Sequence, residues 1–235
     1  MGASLDVACL VLGVLVMIPQ YRSIFSRGAR ARARIHREIS YRQVLGARVG
    51  QIVASEFQGD PKVAVIPHVV RDSAVLDGFM SAMSGTGTVE LLEPDLDAYV
   101  RELMQAEDIT AEQEEMWLKD AKLFAMDSNV LSVKLMNDLL HQVESNTDVL
   151  VLFSALPLDF MELDILSQAE RPRIILASGQ DLLDDEKIVD GVESGLFHGV
   201  VKLNHNPEGW RDDMPVHSDV AEAFAKRYVW VTREN

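Results

Sequence analysis

Side chains able to do chemistry are plentiful in this chain, but few stand at the spacings that chemistry needs. Ser84-Gly85-Thr86-Gly87 has the composition of a phosphate cradle, yet no G-x-x-x-x-G-K-[ST] loop is present, and a turn between helix and strand explains the segment more simply. The histidines His198, His205 and His217 share the last third of the chain, the second of them in Leu203-Asn204-His205-Asn206-Pro207. Without a defined ligand spacing or neighbouring cysteines they read as loop and core histidines, not as metal ligands. Asp184-Asp185-Glu186 reads as an acidic helix start, favoured by the helix dipole, because a receiver-type acid pair would follow the first strand instead. Neither a G-x-G-x-x-G fingerprint, nor a G-x-S-x-G elbow, nor an H-E-x-x-H helix occurs. These patterns predict a non-catalytic protein with no cofactor and no metal.

The elements that must position any site follow from hydrophobic runs and their breaks. Gln58-Gly59-Asp60-Pro61 interrupts a helical pattern, and a βα rhythm begins after it. Lys62-Val-Ala-Val-Ile-Pro67 reads as a buried strand. Asp72 can cap the helix that carries Val75, Leu76, Phe79 and Met83, and residues 88–94 read as the second strand. Residues 148–153, 173–178, 197–203 and 228–232 read as four further strands. Between them, residues 94–146 are predicted to hold three helices, the last from Val130 to Ser145, with a strongly acidic insertion at about 95–127. The expected fold is α/β: a three-layer, mostly parallel, Rossmann-like sheet of about six strands, preceded by a long N-terminal helix. By the strand-end rule for open α/β sheets, a ligand would meet Arg71, Ser154 and Ser178.

With 235 residues, 48% hydrophobic and 25% charged, the chain can bury one core and is too apolar to be disordered. Its formal charge of −15 is divided unevenly. Residues 1–50 hold eight arginines against Asp6 and Glu38, a net +6, whereas residues 51–235 hold 14 Lys and Arg against 35 acids, a net −21. A basic stem is therefore joined to an acidic body that repels nucleic acid, and no nucleic-acid partner is expected. The apolar run from Val7 to Ile18, extended by snorkelling ends to Leu5–Phe25, predicts an anchor helix over residues 1–26. No basic residue precedes it, so it does not read as a cleaved signal peptide. Residues 27–58 then form an Arg-rich helical stem ahead of a single α/β domain from residue 59. Arg22, Arg27, Arg30, Arg32, Arg34 and Arg37 are placed to meet anionic headgroups or a partner, each worth on the order of 1 kcal/mol at a lipid surface. By the positive-inside rule they favour a single-pass membrane protein with its body in the cytoplasm. Cys9, the only cysteine, excludes an intrachain disulfide.

Residues 62–95, together with the helix and strand over 133–160 and the closing segment Val229–Asn235, resemble one lobe of the type I periplasmic-binding-protein and LacI-type sugar-binding superfamily. The resemblance implies ligand contacts after the first strand, where this chain offers His68, Arg71 and Asp72. It also implies export, opposite to the side the arginines favour. Family members close two lobes on a ligand, whereas this body is long enough for one, and Ala177-Ser178-Gly179-Gln180 stands where an Asp-Arg pair often contacts ligand. The expected function is accordingly a membrane-anchored structural or accessory subunit of a larger complex or filament. Its partners would be the lipid bilayer, other membrane subunits or copies of itself; the alternative is a membrane-tethered lobe for a sugar-like small molecule.

Overall fold

The computed structural model describes residues 32–68, 73–95, 131–157, 159–178, 186–204, 216 and 218–234. The expected anchor over 1–26 and most of the acidic insertion lie outside them, as do Arg22, Arg27, Arg30, Arg71 and Asp72. Among the described residues no helix is long and apolar enough to cross a membrane.

Six strands form one sheet: β1 (Lys62–Ile66), β2 (Thr88–Leu91), β3 (Val149–Leu152), β4 (Arg173–Leu176), β5 (Gly199–Leu203) and β6 (Tyr228–Val231). Their spatial order is β2-β1-β3-β4-β5-β6. Four neighbouring pairs are parallel, and β6 closes the edge antiparallel to β5, with Val200 opposite Val231. The central strands are nearly continuous apolar runs because both of their faces are covered. In β3 all four residues are buried, whereas the edge strand β2 alternates exposed and half-buried positions.

Period-two alternation sends each strand's residues into two cores. Ala64, Ile66, Leu150, Leu152, Ile174 and Leu176 face a layer containing α3 (Val133–Leu140), a 3₁₀ turn (Phe160–Glu162), α4 (Asp164–Ser167) and α5 (Glu186–Glu193). Val63, Val65, Val149, Val151, Ile175 and Val201 face α1 (residues 32–56), α2 (Ser73–Met83) and α6 (Val220–Arg227). The expected three-layer α/β architecture is therefore the observed one.

The helix that opens the described chain does more than link. Tyr41, Leu45, Val49 and Val53 recur every four residues, and all are buried against α2 and the sheet. Small residues set how close α1 and α2 approach. A Cβ on Gly46 would lie 1.9 Å from the Val75 carbonyl oxygen, and one on Gly78 would lie 2.1 Å from that of Gln43. Both distances are shorter than any real contact, so the two backbones touch through missing side chains. At the carboxyl end of α6, Arg227 Nη2 donates to both carboxylate oxygens of Glu38, at 3.1 and 2.9 Å, tying the last helix to the first.

Several boundaries differ from expectation for local reasons. Helix α3 ends at Leu140, not Ser145, because His141 caps it and the chain turns through the Thr147 N–H bonded to the Glu144 carbonyl before entering β3. Ser132 caps its start at Val133, its hydroxyl accepting the Leu135 N–H at 3.2 Å. Strand β5 starts at Gly199, not Phe197, and Trp230 of β6 lies across that glycine, so close that a Cβ would sit 2.1 Å from the indole. Between α2 and β2 the turn needs Gly85 and Gly87, both at positive φ (78° and 84°).

Candidate functional site at the carboxyl edge of the sheet

Strands β1 and β3 are neighbours, but their connections leave toward opposite layers: α2 follows β1 on one face, while the 3₁₀ turn and α4 follow β3 on the other. Such a divergence opens a crevice outside the carboxyl ends of the strands, the place where open α/β sheets receive ligands. The backbone ladder continues just past the strands into this region. Phe153 N–H donates to the Ile66 carbonyl at 2.9 Å, and Ala177 N–H donates to the Leu152 carbonyl at 2.8 Å. The next residues, His68 after β1, Ser154 after β3 and Ser178 after β4, therefore stand on adjacent strands along one edge.

Of these, Ser154 is the unusual one. It is 2% exposed, the only polar residue among the described residues buried to that degree, and its Oγ has no hydrogen-bond partner among them. Burying a hydroxyl without a partner costs roughly 1–3 kcal/mol by mutational measures. His68 and Ser178 are half-buried, and each already engages a neighbour. A serine nucleophile needs a base within about 3 Å, and Ser154 has none hydrogen-bonded to it among the described residues. Nor do the described residues contain a cluster of three or more His, Cys, Asp or Glu able to hold a metal ion. Among the described residues, this edge sets one buried, unpartnered hydroxyl, Ser154, between half-buried His68 and Ser178, suited to accept or donate one hydrogen bond.

Of the stem arginines, Arg32 and Arg34 are exposed on the first turn of α1 and Arg37 is half-buried one turn later. Ile35 and Ile39, spaced by one turn, are 59% and 46% exposed on the same segment. This end of α1 projects past the core, since burial begins only at Tyr41.

Sequence reasoning missed two sets of residues. The Gly46/Gly50 pair of α1 carried a signal, two glycines four apart in a helix, which places both on one face toward Val75, Phe79 and Ala82 of α2. The contact of His198 with Glu56, Nε2 to Oε2 at 2.5 Å, joins residues 142 positions apart and carried none.

Fold and edge together define a doubly wound, three-layer α/β domain whose N-terminal helix is packed into its core. Comparison with protein-family models, with curated proteins and with solved structures found no match. Because such folds host many unrelated activities, function has to be argued from particular residues.

Proposed function

We propose that this chain is a non-catalytic, membrane-anchored structural or accessory subunit, in which the apolar N-terminal segment and α1 couple the α/β body to partner subunits or to further copies of itself. The observation that carries this reading is the double character of α1. Its second half is buried core, and its first half projects Ile35 and Ile39 into solvent among Arg32, Arg34 and Arg37. Exposed isoleucines one turn apart on a helix are what a helix-to-helix or headgroup contact would cover, and the arginines beside them suit acidic partner groups or anionic lipid. A body held to its stem by close backbone packing and an ion pair from Arg227 Nη2 to both Glu38 oxygens transmits position instead of swinging on a linker. Detergent extraction followed by sizing tests the proposal. The expected result is a multi-subunit particle that Ile35→Asp/Ile39→Asp disperses without changing the melting temperature; a monodisperse, partnerless monomer indifferent to that change overturns it. The stem arginines favour a cytoplasmic body, which protease protection in intact cells against spheroplasts reads directly.

A second reading, a membrane-tethered lobe for a sugar-like small molecule, is favoured by Ser154, whose buried hydroxyl at the strand end has no hydrogen-bond partner among the described residues. A thermal-shift screen against sugars and nucleotides tests it, and it fails if no compound raises the midpoint or if Ser154→Ala leaves a hit unaffected.

A further inference from the structure

The opposite edge of the sheet holds a different concentration of charge. A cavity of about 390 Å³, open to solvent, lies at the amino ends of β4 and β5 and is lined by Arg171, Arg173, His198 and Arg233. Its sign runs against the rest of the body: residues 51–235 contain 35 acids and only seven arginines, and three of those seven meet here.

Carbonyl hydrogen bonds and ring packing hold Arg171 and Arg173 in place. Arg171 Nη1 donates to the carbonyls of Leu166 and Gln168 at 3.4 and 3.3 Å, which fixes its guanidinium and leaves other N–H groups to donate elsewhere. The Arg173 guanidinium lies 5.2 Å above the centre of the Phe57 ring, and Phe57 meets the His198 ring edge-on at 5.3 Å. Glu56, the acid in this group, is already engaged by His198. Among the described residues neither Arg173 nor Arg233 has a hydrogen-bonded or ion-paired acid. Guanidinium groups converging without a counter-ion repel one another, and an oxyanion placed among them is attracted by all three while accepting their planar, paired donors.

We propose that this cavity binds a small, multiply charged oxyanion of the phosphate class, with Arg173 and Arg233 as its principal contacts and Arg171 as a fixed third. Its volume lies in the range of small-molecule sites. A phosphate could be a free solute or a lipid headgroup, and the fold favours the solute. Glu38 meets Arg227 beside the carboxyl end of β5, whereas Glu56 meets His198 at the amino end. Along α1 those two points are ~27 Å apart at ~1.5 Å per residue. The cavity therefore lies at the end of the body remote from the start of α1 and so, resting on the proposed reading of that helix as the membrane-proximal stem, away from a lipid surface.

The test is isothermal titration calorimetry of the full chain, in detergent micelles, with inorganic phosphate and pyrophosphate as probes and acetate as control, all at matched ionic strength. Saturable binding of the phosphates is expected, weakened roughly tenfold by Arg233→Gln and by Arg173→Gln and unchanged by Arg42→Gln on α1. Arg233 is exposed beyond the end of β6, so its variant folds even where Arg173→Gln disturbs the Phe57 packing, and circular dichroism verifies each. No saturable binding, equal binding by all variants, or binding to phosphatidic-acid vesicles without binding to phosphate overturns the proposal.

Discussion

At the residue scale two buried hydroxyls behave oppositely, and each makes a prediction. Ser154 is buried with its Oγ unpartnered, so Ser154→Ala removes a polar atom without removing a bond. The variant should be as stable as the parent or more stable by up to about 1 kcal/mol, read as the urea midpoint. A loss larger than that would mean the hydroxyl is bonded in solution. Tyr228 is buried at the start of β6, and burial, with help from the Glu38 carboxylate, pushes its hydroxyl up from 10.0 to about 12. Below pH 10 the group is neutral in folded and unfolded chains alike. As pH rises from 10 toward 12 the unfolded chain ionises first, so stability is lost across that window, by on the order of 2 to 3 kcal/mol when complete. Tyr228→Phe should flatten this part of the alkaline limb, measured as denaturation midpoints at pH 9 and pH 11; an unchanged slope would assign the loss to other groups.

Contact between α1 and α2 decides stability at the element scale. Gly78→Ala puts a methyl group 2.1 Å from the Gln43 carbonyl oxygen, a backbone atom that cannot swing away as a flexible side chain would, so the helices must separate. A cost of about 1–3 kcal/mol or more is expected, although alanine is the better helix former. Because Gly46 and Gly78 serve the same interface, the double variant Gly46→Ala/Gly78→Ala should cost less than the two single changes added together. Additivity in thermal or urea unfolding would show that the two helices do not share one spacing. The same contact shows how much of an element is legible in advance. The apolar spacing through Ile35, Ile39, Leu45, Val49, Ile52, Val53 and Phe57 marks a helix, and Leu45, Val49, Ile52 and Val53 are buried while Ile35 and Ile39 are exposed; nothing in a linear reading says where along the helix burial begins, or that its face meets α2 so closely that only glycine fits.

For the whole molecule, the consequence is that stem and body form one piece. Glu38 with Arg227 near one end of α1, and Glu56 with His198 at the other, fasten the helix to the residues that lead into β6 and β5. The ion pair at Glu38 is partly exposed and is worth at most about 1 kcal/mol, so Glu38→Gln should lower stability only slightly. The buried ring of Phe79, fully enclosed between α1 and the sheet, carries far more, and Phe79→Ala should cost about 3–5 kcal/mol in urea unfolding. If Phe79→Ala were tolerated while Glu38→Gln unfolded the chain, charge and not packing would be what fastens α1. The two ends of the body then differ in what the described residues place there: a buried, unpartnered Ser154 hydroxyl at the carboxyl edge, on the side from which α1 projects, and a cluster of arginines on the far side.

Composition and periodicity by themselves determined the class of fold, because a strand buried on both faces has to be a continuous apolar run and a packed helix has to repeat every three to four residues. Val63 to Ile66 and Val149 to Leu152 satisfy the first condition, and Leu45 to Val53 the second. The same reading placed Ser154 and Ser178 at strand ends, since that position depends only on where each apolar run stops. Strand order, the antiparallel turn of β6, the glycine contact between helices and the gathering of Arg171, Arg173, His198 and Arg233 were decided only in three dimensions. Each depends on which distant segments become neighbours, and the free energy that selects those neighbours comes from burial and shape across the whole core, which no local spacing records.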